Sequence, residues 1–361
     1  MFQELYRNRR VLVTGHTGFK GSWLALWLSR LGAHVVGYAR APETTPNHWE
    51  LLGLDSCQSV LADLRDQSQL VQAFRDHQPE IVFHLAAQPL VRRSYREPHE
   101  TFSTNVMGTL NVFEAAIASR SVRAIVCVTS DKVYENQESS DGYTETDRLG
   151  GSDPYSASKA CTEILAACYN RSFFQQNQAA AGMLLATVRA GNVIGGGDWS
   201  EDRLIPDAVR AVVTENSLGI RNPGSVRPWQ HVLEPLSGYL SVGQKLLQRD
   251  VGSARAWNFG PELEGMVRVD DVIRRFQESW PSLRADIAPE EYAPPETKLL
   301  RLDSSLATKQ LNWKPIWNWQ TAVTRTAQWY EAFHESKEVK STDDLDHFLE
   351  AAQRLNAGWV Q

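Results

Sequence analysis

Arg9-Arg10-Val11-Leu12-Val13-Thr14-Gly15-His16-Thr17-Gly18-Phe19-Lys20-Gly21 is the stretch that decides how this chain folds. Two arginines give way to a short apolar run rich in β-branched residues, the pattern of a buried strand. The run passes directly into a turn with a glycine at every third position, Gly15, Gly18 and Gly21. Beyond it, Trp23, Leu24, Leu26, Trp27, Leu28 and Leu31 supply the apolar face of a helix, and Gly32 is placed to stop it. His34-Val35-Val36-Gly37-Tyr38 then reads as a second strand. Strand, glycine-rich turn, helix and strand make one right-handed crossover. In that setting the glycines let the backbone approach a pyrophosphate at a helix N-terminus, where free amides and the dipole favour anions. A glycine triplet without this context would be an ordinary tight turn.

The acidic residue that often ends the second strand and binds a cofactor ribose is absent; Ala39 and Arg40 stand there. Arginine at this place can accommodate a 2′-phosphate, so the residues leave NAD and NADP both open. Arg40 reads equally as a solvated loop residue.

Working outward, Val60-Leu61-Ala62-Asp63-Leu64-Arg65-Asp66 looks like a third strand ending in a turn. Asp63 is placed either to bond an adenine or to cap the segment after Arg65. Ile81-Val82-Phe83-His84-Leu85-Ala86-Ala87 is a fourth strand, whose small last residues would let a cofactor pass close. A helical pattern runs from Glu100 to Ser119, and Ala124-Ile125-Val126-Cys127-Val128 is a fifth strand. Strands alternating with helices imply an α/β fold with a doubly wound parallel sheet. Ala186-Thr187-Val188-Arg189 adds a strand and leads into the glycine-rich loop Ala190 to Trp199. After it, aromatics, prolines and arginines interleave, as in a smaller α/β lobe closing over a substrate. The expected organisation is residues 1–190 mainly for dinucleotide binding, 191–335 mainly for substrate, the chain crossing between the two, and 336–361 a helical tail. In the tail, Leu345, Phe348, Leu349, Ala352 and Leu355 keep helical spacing.

The chemistry is carried by two segments. Ser130, Asp131 and Lys132 leave the end of the fifth strand in succession. Tyr155-Ser156-Ala157-Ser158-Lys159 reads as the first turn of a helix, capped by Ser152 or Asp153 with Pro154 at an early position. Tyr155 and Lys159, four apart, share a face. An ammonium beside a phenol favours the phenolate, which would make Tyr155 a base near neutral pH. Asp131 and Lys132 offer an acid and a base, in an order their coupled titration conceals.

The 361 residues are 42% hydrophobic and 22% charged, ordinary for a globular protein. The net charge of −6 argues against a nucleic-acid binder. No apolar run reaches the length of a membrane span, and Met1-Phe2-Gln3-Glu4-Leu5-Tyr6-Arg7 lacks the plan of a signal peptide, so a cytoplasmic home is the default expectation. Cys57, Cys127, Cys161 and Cys168 show no metal-binding spacing; they read as small core residues, and no metal is expected.

Gly15-x-x-Gly18-x-x-Gly21, Asp63, Ser130 and Tyr155-x-x-x-Lys159 together resemble the extended short-chain dehydrogenase/reductases, over roughly residues 8–331. Gly15 to Trp23, Thr129 to Tyr134 and Arg189 to Trp199 resemble, within that superfamily, the sugar-nucleotide 4,6-dehydratases that act on a cytidine sugar. The related thymidine-sugar enzymes look like Thr-Asp-Glu at the strand end, where Lys132 stands here. The resemblance implies a Rossmann-type sheet, tightly held NAD, CDP-glucose as substrate and a homodimer or homotetramer. Cofactor contacts are then expected from Gly15, Thr17, Gly18, Phe19, Gly21, Arg40, Asp63, Leu64, Leu85, Ala86, Ala87, Thr104, Tyr155 and Lys159. Substrate contacts are expected from Gln88, Asn192, Trp199, Arg203, Arg227 and His231. Two rival readings stay open: a sugar-nucleotide 4-epimerase, which needs no Asp131–Lys132 pair, and a non-catalytic dinucleotide sensor, which needs no Ser–Tyr–Lys set.

Overall fold

The computed structural model describes residues 1–139, 141–174, 182–287 and 299–361. Seven parallel strands form the main sheet in the order β11-β6-β5-β4-β1-β2-β3. They are β1 (Arg10–Thr14), β2 (His34–Ala39), β3 (Gln58–Leu61), β4 (Ile81–His84), β5 (Ala124–Val128), β6 (Leu184–Ala190) and β11 (Ala256–Phe259). The order reverses between β1 and β4, and in such sheets the crevice outside the carboxyl ends at that reversal is where ligands bind. The glycine turn leaves β1 at this point.

β4, β5 and β6 are buried along their whole length, as expected of strands covered on both faces. One apolar layer contains Val11, Val13, Phe83, Val126 and Val188 with Trp23, Trp27, Leu236 and Leu240. The other contains Leu12, Val82, Ile125 and Leu185 with Phe74, Val112 and Phe113. The helix Leu233–Leu247 belongs to the first layer, and β11 follows it into the sheet. The chain therefore returns to the main sheet after starting the lobe.

Among the described residues the lobe holds three two-stranded ladders. β7 (Val193–Ile194) pairs with β10 (Gln230–His231), β8 (Ser217–Ile220) with β13 (Arg284–Ile287), and β9 (Val226–Pro228) with β12 (Met266–Arg268). Its core gathers Trp229, Val272, Phe276, Trp329 and Tyr330.

Four details depart from the sequence reading. The third strand is shorter and earlier, Gln58–Leu61, because Asp66 opens the next helix by accepting from the Gln69 amide. The long helix starts at Pro98 and carries a π-turn over Ser103–Met107 before continuing as Gly108–Ser119. Within that turn the Asn105 amide donates to Gln88 O at 3.1 Å and Ser158 Oγ at 2.9 Å, tying it to the Tyr155 helix. Cys161 and Cys168 are exposed on the helix Pro154–Tyr169, and only Cys57 and Cys127 are core residues. In the tail helix Ser341–Arg354, Leu345, Phe348, Leu349 and Ala352 are buried, whereas Leu355 lies past its end and is 61% exposed. Among the described residues no helix is long and apolar enough to cross a membrane, and no cluster of metal-ligating side chains occurs.

Candidate active site

The cleft at the carboxyl ends of the strands encloses about 1580 Å³. Pockets for one small molecule run to roughly 300–1,000 Å³, so this one has room for two ligands. Its floor is the glycine turn. Gly18 precedes the helix Phe19–Arg30 without any side-chain cap, which leaves first-turn amides free. Gly15 has φ +76°, and a Cβ there would sit 2.7 Å from Ala86 N; a Cβ at Gly21 would sit 2.0 Å from Gly15 O. The turn is thus packed backbone against backbone, a cradle with amides and no side chains in the way. These features fit a dinucleotide pyrophosphate.

Asp153 caps the helix Pro154–Tyr169 by accepting from the Ser156 amide, and Pro154 starts it. That places Tyr155 and Lys159 on the wall beside Ser130, Asp131 and Lys132, and all five line the cleft. Ser130 caps a single 3-10 turn, Asp131–Val133, accepting from the Lys132 amide while its hydroxyl donates to Asp131 Oδ1 at 3.0 Å.

Under this turn lies a buried ion pair. Glu163, one helical turn past Lys159, receives both Nε and NH2 of Arg189 at 2.8 Å, and the hydroxyls of Thr129 and Thr187. Burial pushes the Glu163 carboxyl up, but Arg189 and the two hydroxyls outweigh it and hold it below its usual range. Arg189 also donates to the Tyr134 hydroxyl at 2.7 Å, which donates to Asn258 Oδ1 at 2.8 Å. β5, β6, β11 and the Tyr155 helix are thereby locked together where the reacting groups emerge.

One expectation is corrected. Burial pushes the Tyr155 phenol up to about 12, against a lowering by the Ser130 hydroxyl. Lys159 does not bring it down: its ammonium donates to Val128 O at 3.1 Å, and the cation whose charge lowers the Tyr155 pKa is Arg203.

Gly15, Thr17, Gly18, Phe19, Gly21, Arg40, Asp63, Leu64, Leu85, Ala86, Ala87 and Thr104 all line the cleft, as do Gln88, Asn192, Trp199, Arg203 and Arg227. Several have their polar groups engaged. Asp63 is clasped by Arg65 at 2.6 Å, and the Gln88 amide donates to Thr101 Oγ1 and Leu90 O. Arg203 donates to the buried Asp198 at 2.9 Å. His231 does not line the cleft. It is fully buried beside Trp23 and Trp317, its Nδ1 accepts from the Leu233 amide, and burial lowers its pKa to about 3. Substrate contact at His231 is withdrawn.

Lys20 is a cleft residue that the motif contained and the sequence reading passed over. Burial lowers its ammonium to about 8, Arg203 adds to the effect and Asp131 opposes it. The signal was available: a lysine between Gly18 and Gly21 of the glycine-rich stretch.

The model of the GDP-mannose 4,6 dehydratase family matches residues 12–326, and the chain belongs to that family. It is 44% identical over 356 residues to the CDP-glucose 4,6-dehydratase of Salmonella typhimurium, covering 98% of this chain and 99% of that one. It is 24% identical over 352 residues to the dTDP-glucose 4,6-dehydratase of Shigella flexneri, covering 90% and 93%. Among solved structures, the UDP-glucose 4-epimerase of Thermotoga maritima superposes with a TM-score of 0.76 at 22% identity, covering 91% and 99%. A dTDP-glucose 4,6-dehydratase of Streptomyces venezuelae, solved with NAD bound, gives 0.74 at 24% identity, covering 89% and 96%. Both share the fold of this chain.

Proposed function

We propose that this family member is an NAD-dependent hydro-lyase converting CDP-D-glucose to CDP-4-dehydro-6-deoxy-D-glucose and water. The observation that carries the reading is the turn after β5, where Asp131 and Lys132 open into the same cleft as Ser130, Tyr155 and Lys159. Serine, tyrosine and lysine suffice to oxidise a hydroxyl; a further carboxyl and amine are what elimination needs. The cytidine sugar is taken from the Salmonella enzyme, whose identity with this chain runs nearly full length.

Bound NAD would supply reversible hydride acceptance, so the reaction has no net redox change. With its phenol ionised, which the positive charge of a bound nicotinamide would favour, Tyr155 takes the proton of the C4 hydroxyl, and Ser130 hydrogen-bonds the C4 oxygen. The C5 proton of a hexose is not acidic until C4 is a ketone, which fixes the order of events. Asp131 and Lys132 then divide two tasks, removing the C5 proton and protonating the departing C6 hydroxyl; the hydride taken from C4 would return to C6 and a proton to C5, which gives the 6-deoxy product and leaves the dinucleotide oxidised as it began. Lys159 holds the nicotinamide ribose. The glycine turn, with Thr17, Phe19, Leu64, Leu85, Ala86, Ala87 and Thr104, holds the rest of the dinucleotide. Asn192, Trp199, Arg203 and Arg227 hold the sugar nucleotide. The sheet half, chiefly residues up to 190, serves the cofactor, and the lobe within 191–335 serves the substrate. The working form is a cytoplasmic homodimer or homotetramer; exposed Phe102, Met107 and Ile164 on the flanking helices support self-association.

The test is incubation with a panel of nucleoside-diphosphate glucoses. A 4-keto-6-deoxy product, absorbing in strong alkali, should form fastest from CDP-glucose. A C4-epimerised sugar with no loss of water would replace this reading with the epimerase.

A further inference from the structure

Arg40 follows β2, where a 2′-phosphate would be met, yet its guanidinium is already held. Arg40 NH1 donates to Glu100 Oε1 at 3.1 Å, and NH2 lies 3.4 Å from Glu43 Oε1. The same two carboxylates face Arg93, whose NH1 donates to Glu43 at 2.8 Å and whose NH2 lies 3.5 Å from Glu100. Arg93 is further held by Glu97 at 2.7 Å, and Arg65 by Asp63 at 2.6 Å. At this mouth of the cleft each arginine is therefore engaged by carboxylates, and the acids outnumber them by one.

We propose that Glu43 and Glu100 determine dinucleotide specificity: by holding Arg40 they make the cleft reject a 2′-phosphate and select NAD. The proposal rests on the reading of the cleft as a dinucleotide site. A phosphomonoester brings about −1.5 to −2 charges at neutral pH. To pair with Arg40 it must displace two carboxylates and then remain beside them. A ribose hydroxyl is neutral and meets no such penalty. The Arg40 side chain is 49% exposed, so each ion pair is worth little to folding. Selectivity needs only a few such increments, since 1.4 kcal/mol is tenfold in affinity. Exposure also makes the effect sensitive to salt, because ion pairs open to solvent weaken as ionic strength rises.

The experiment is calorimetric titration of the full chain, freed of nucleotide, with NAD and with NADP. The parent is compared with Glu43→Gln/Glu100→Gln and with that pair combined with Arg40→Ala. The double variant should bind NADP about tenfold more tightly, with NAD shifted less than about threefold. Adding Arg40→Ala should abolish the gain, and the parent's preference should shrink at high salt. A parent that binds NAD, together with a double variant that gains nothing for NADP, overturns this proposal alone. So does a gain that survives loss of Arg40. A parent that binds neither dinucleotide overturns the cofactor reading, and this proposal with it.

Discussion

In the sheet half, β4, β5 and β6 are buried from end to end and pair in unbroken parallel register. Among the described residues of the lobe no ladder is longer than the four pairs of β8 with β13. What backbone pairing does for the first, ring packing does for the second. Trp199 meets Trp329, Tyr330 and Phe333 at centroid distances of 5.6 to 5.8 Å, and Trp329 Nε1 donates to Ser341 at 2.9 Å. The sheet half is a frame in which Ser130, Asp131 and Lys132 follow a strand end and Tyr155 and Lys159 sit in the first turns of a helix. The lobe is held by packed rings, and several of its side chains line the cleft. Damage to the frame should therefore appear in chemistry and global stability, and damage to the lobe in substrate affinity.

The largest effect is expected at the frame's reacting edge. Tyr155→Phe should lower turnover by about 10²–10⁴-fold, the usual range for losing a general acid–base group. Cofactor should still bind, because the glycine turn is untouched. Near-parent turnover in stopped-flow assays would remove Tyr155 from the mechanism.

Next comes the frame itself. Glu163→Gln leaves Arg189 buried without a counter-charge, at a cost of about 3–5 kcal/mol. Equilibrium urea unfolding should show the loss across the whole transition, because the pair joins β5, β6 and the Tyr155 helix. A loss below about 1 kcal/mol would mean that the pair is not what holds them.

The lobe gives the contrasting result. Trp199→Ala removes a ring from the cleft wall without touching a reacting group. KM for the sugar nucleotide should rise about tenfold with kcat within about threefold, the signature of lost uniform binding. An equal fall in kcat would mean that the lobe also sets the reacting geometry, and the contrast would fail.

The same contrast decided what could be read in advance. β1, β4 and β5 announce themselves because burial on both faces demands continuous apolar runs, and Tyr155 and Lys159 because helical spacing puts them on one wall. The lobe's pairings are long-range: Tyr330 donates to Asp198 O across 132 positions and Trp23 to Gly196 O across 173. No local pattern encodes them. His231 was misplaced for that reason, since its neighbours Trp23 and Trp317 come from opposite ends of the chain. The Tyr155 pKa was misjudged because spacing shows proximity to Lys159 but not that Val128 O receives its ammonium.

The last prediction concerns the seam between the halves. Glu234 lies on the helix Leu233–Leu247, which packs on the sheet. Its Oε1 accepts from the Trp317 amide at 2.7 Å and its Oε2 from the Ile316 amide at 2.9 Å, just before the lobe helix Trp319–Ser336. Burial pushes this carboxyl up to about 8, against the lowering by the two amides. In the unfolded chain a glutamate titrates near about 4.3. Between these values the folded state holds the proton and the unfolded state does not, so stability must fall as pH rises. Below the window both states are protonated and above it neither is, so the contribution is flat. One proton gives a slope of about 1.4 kcal/mol per pH unit at most. Glu234→Gln should flatten that part of the stability profile between pH 5 and 8, measured by urea unfolding at a series of pH values. The variant should also lose about 1 kcal/mol at low pH, because one amide then faces a side-chain NH2 instead of an oxygen. A parent profile without the downward slope, or a variant that retains it, would show that the Glu234 carboxyl does not titrate in this window, and its hydrogen bonds to Ile316 and Trp317 would then join the halves without a bound proton.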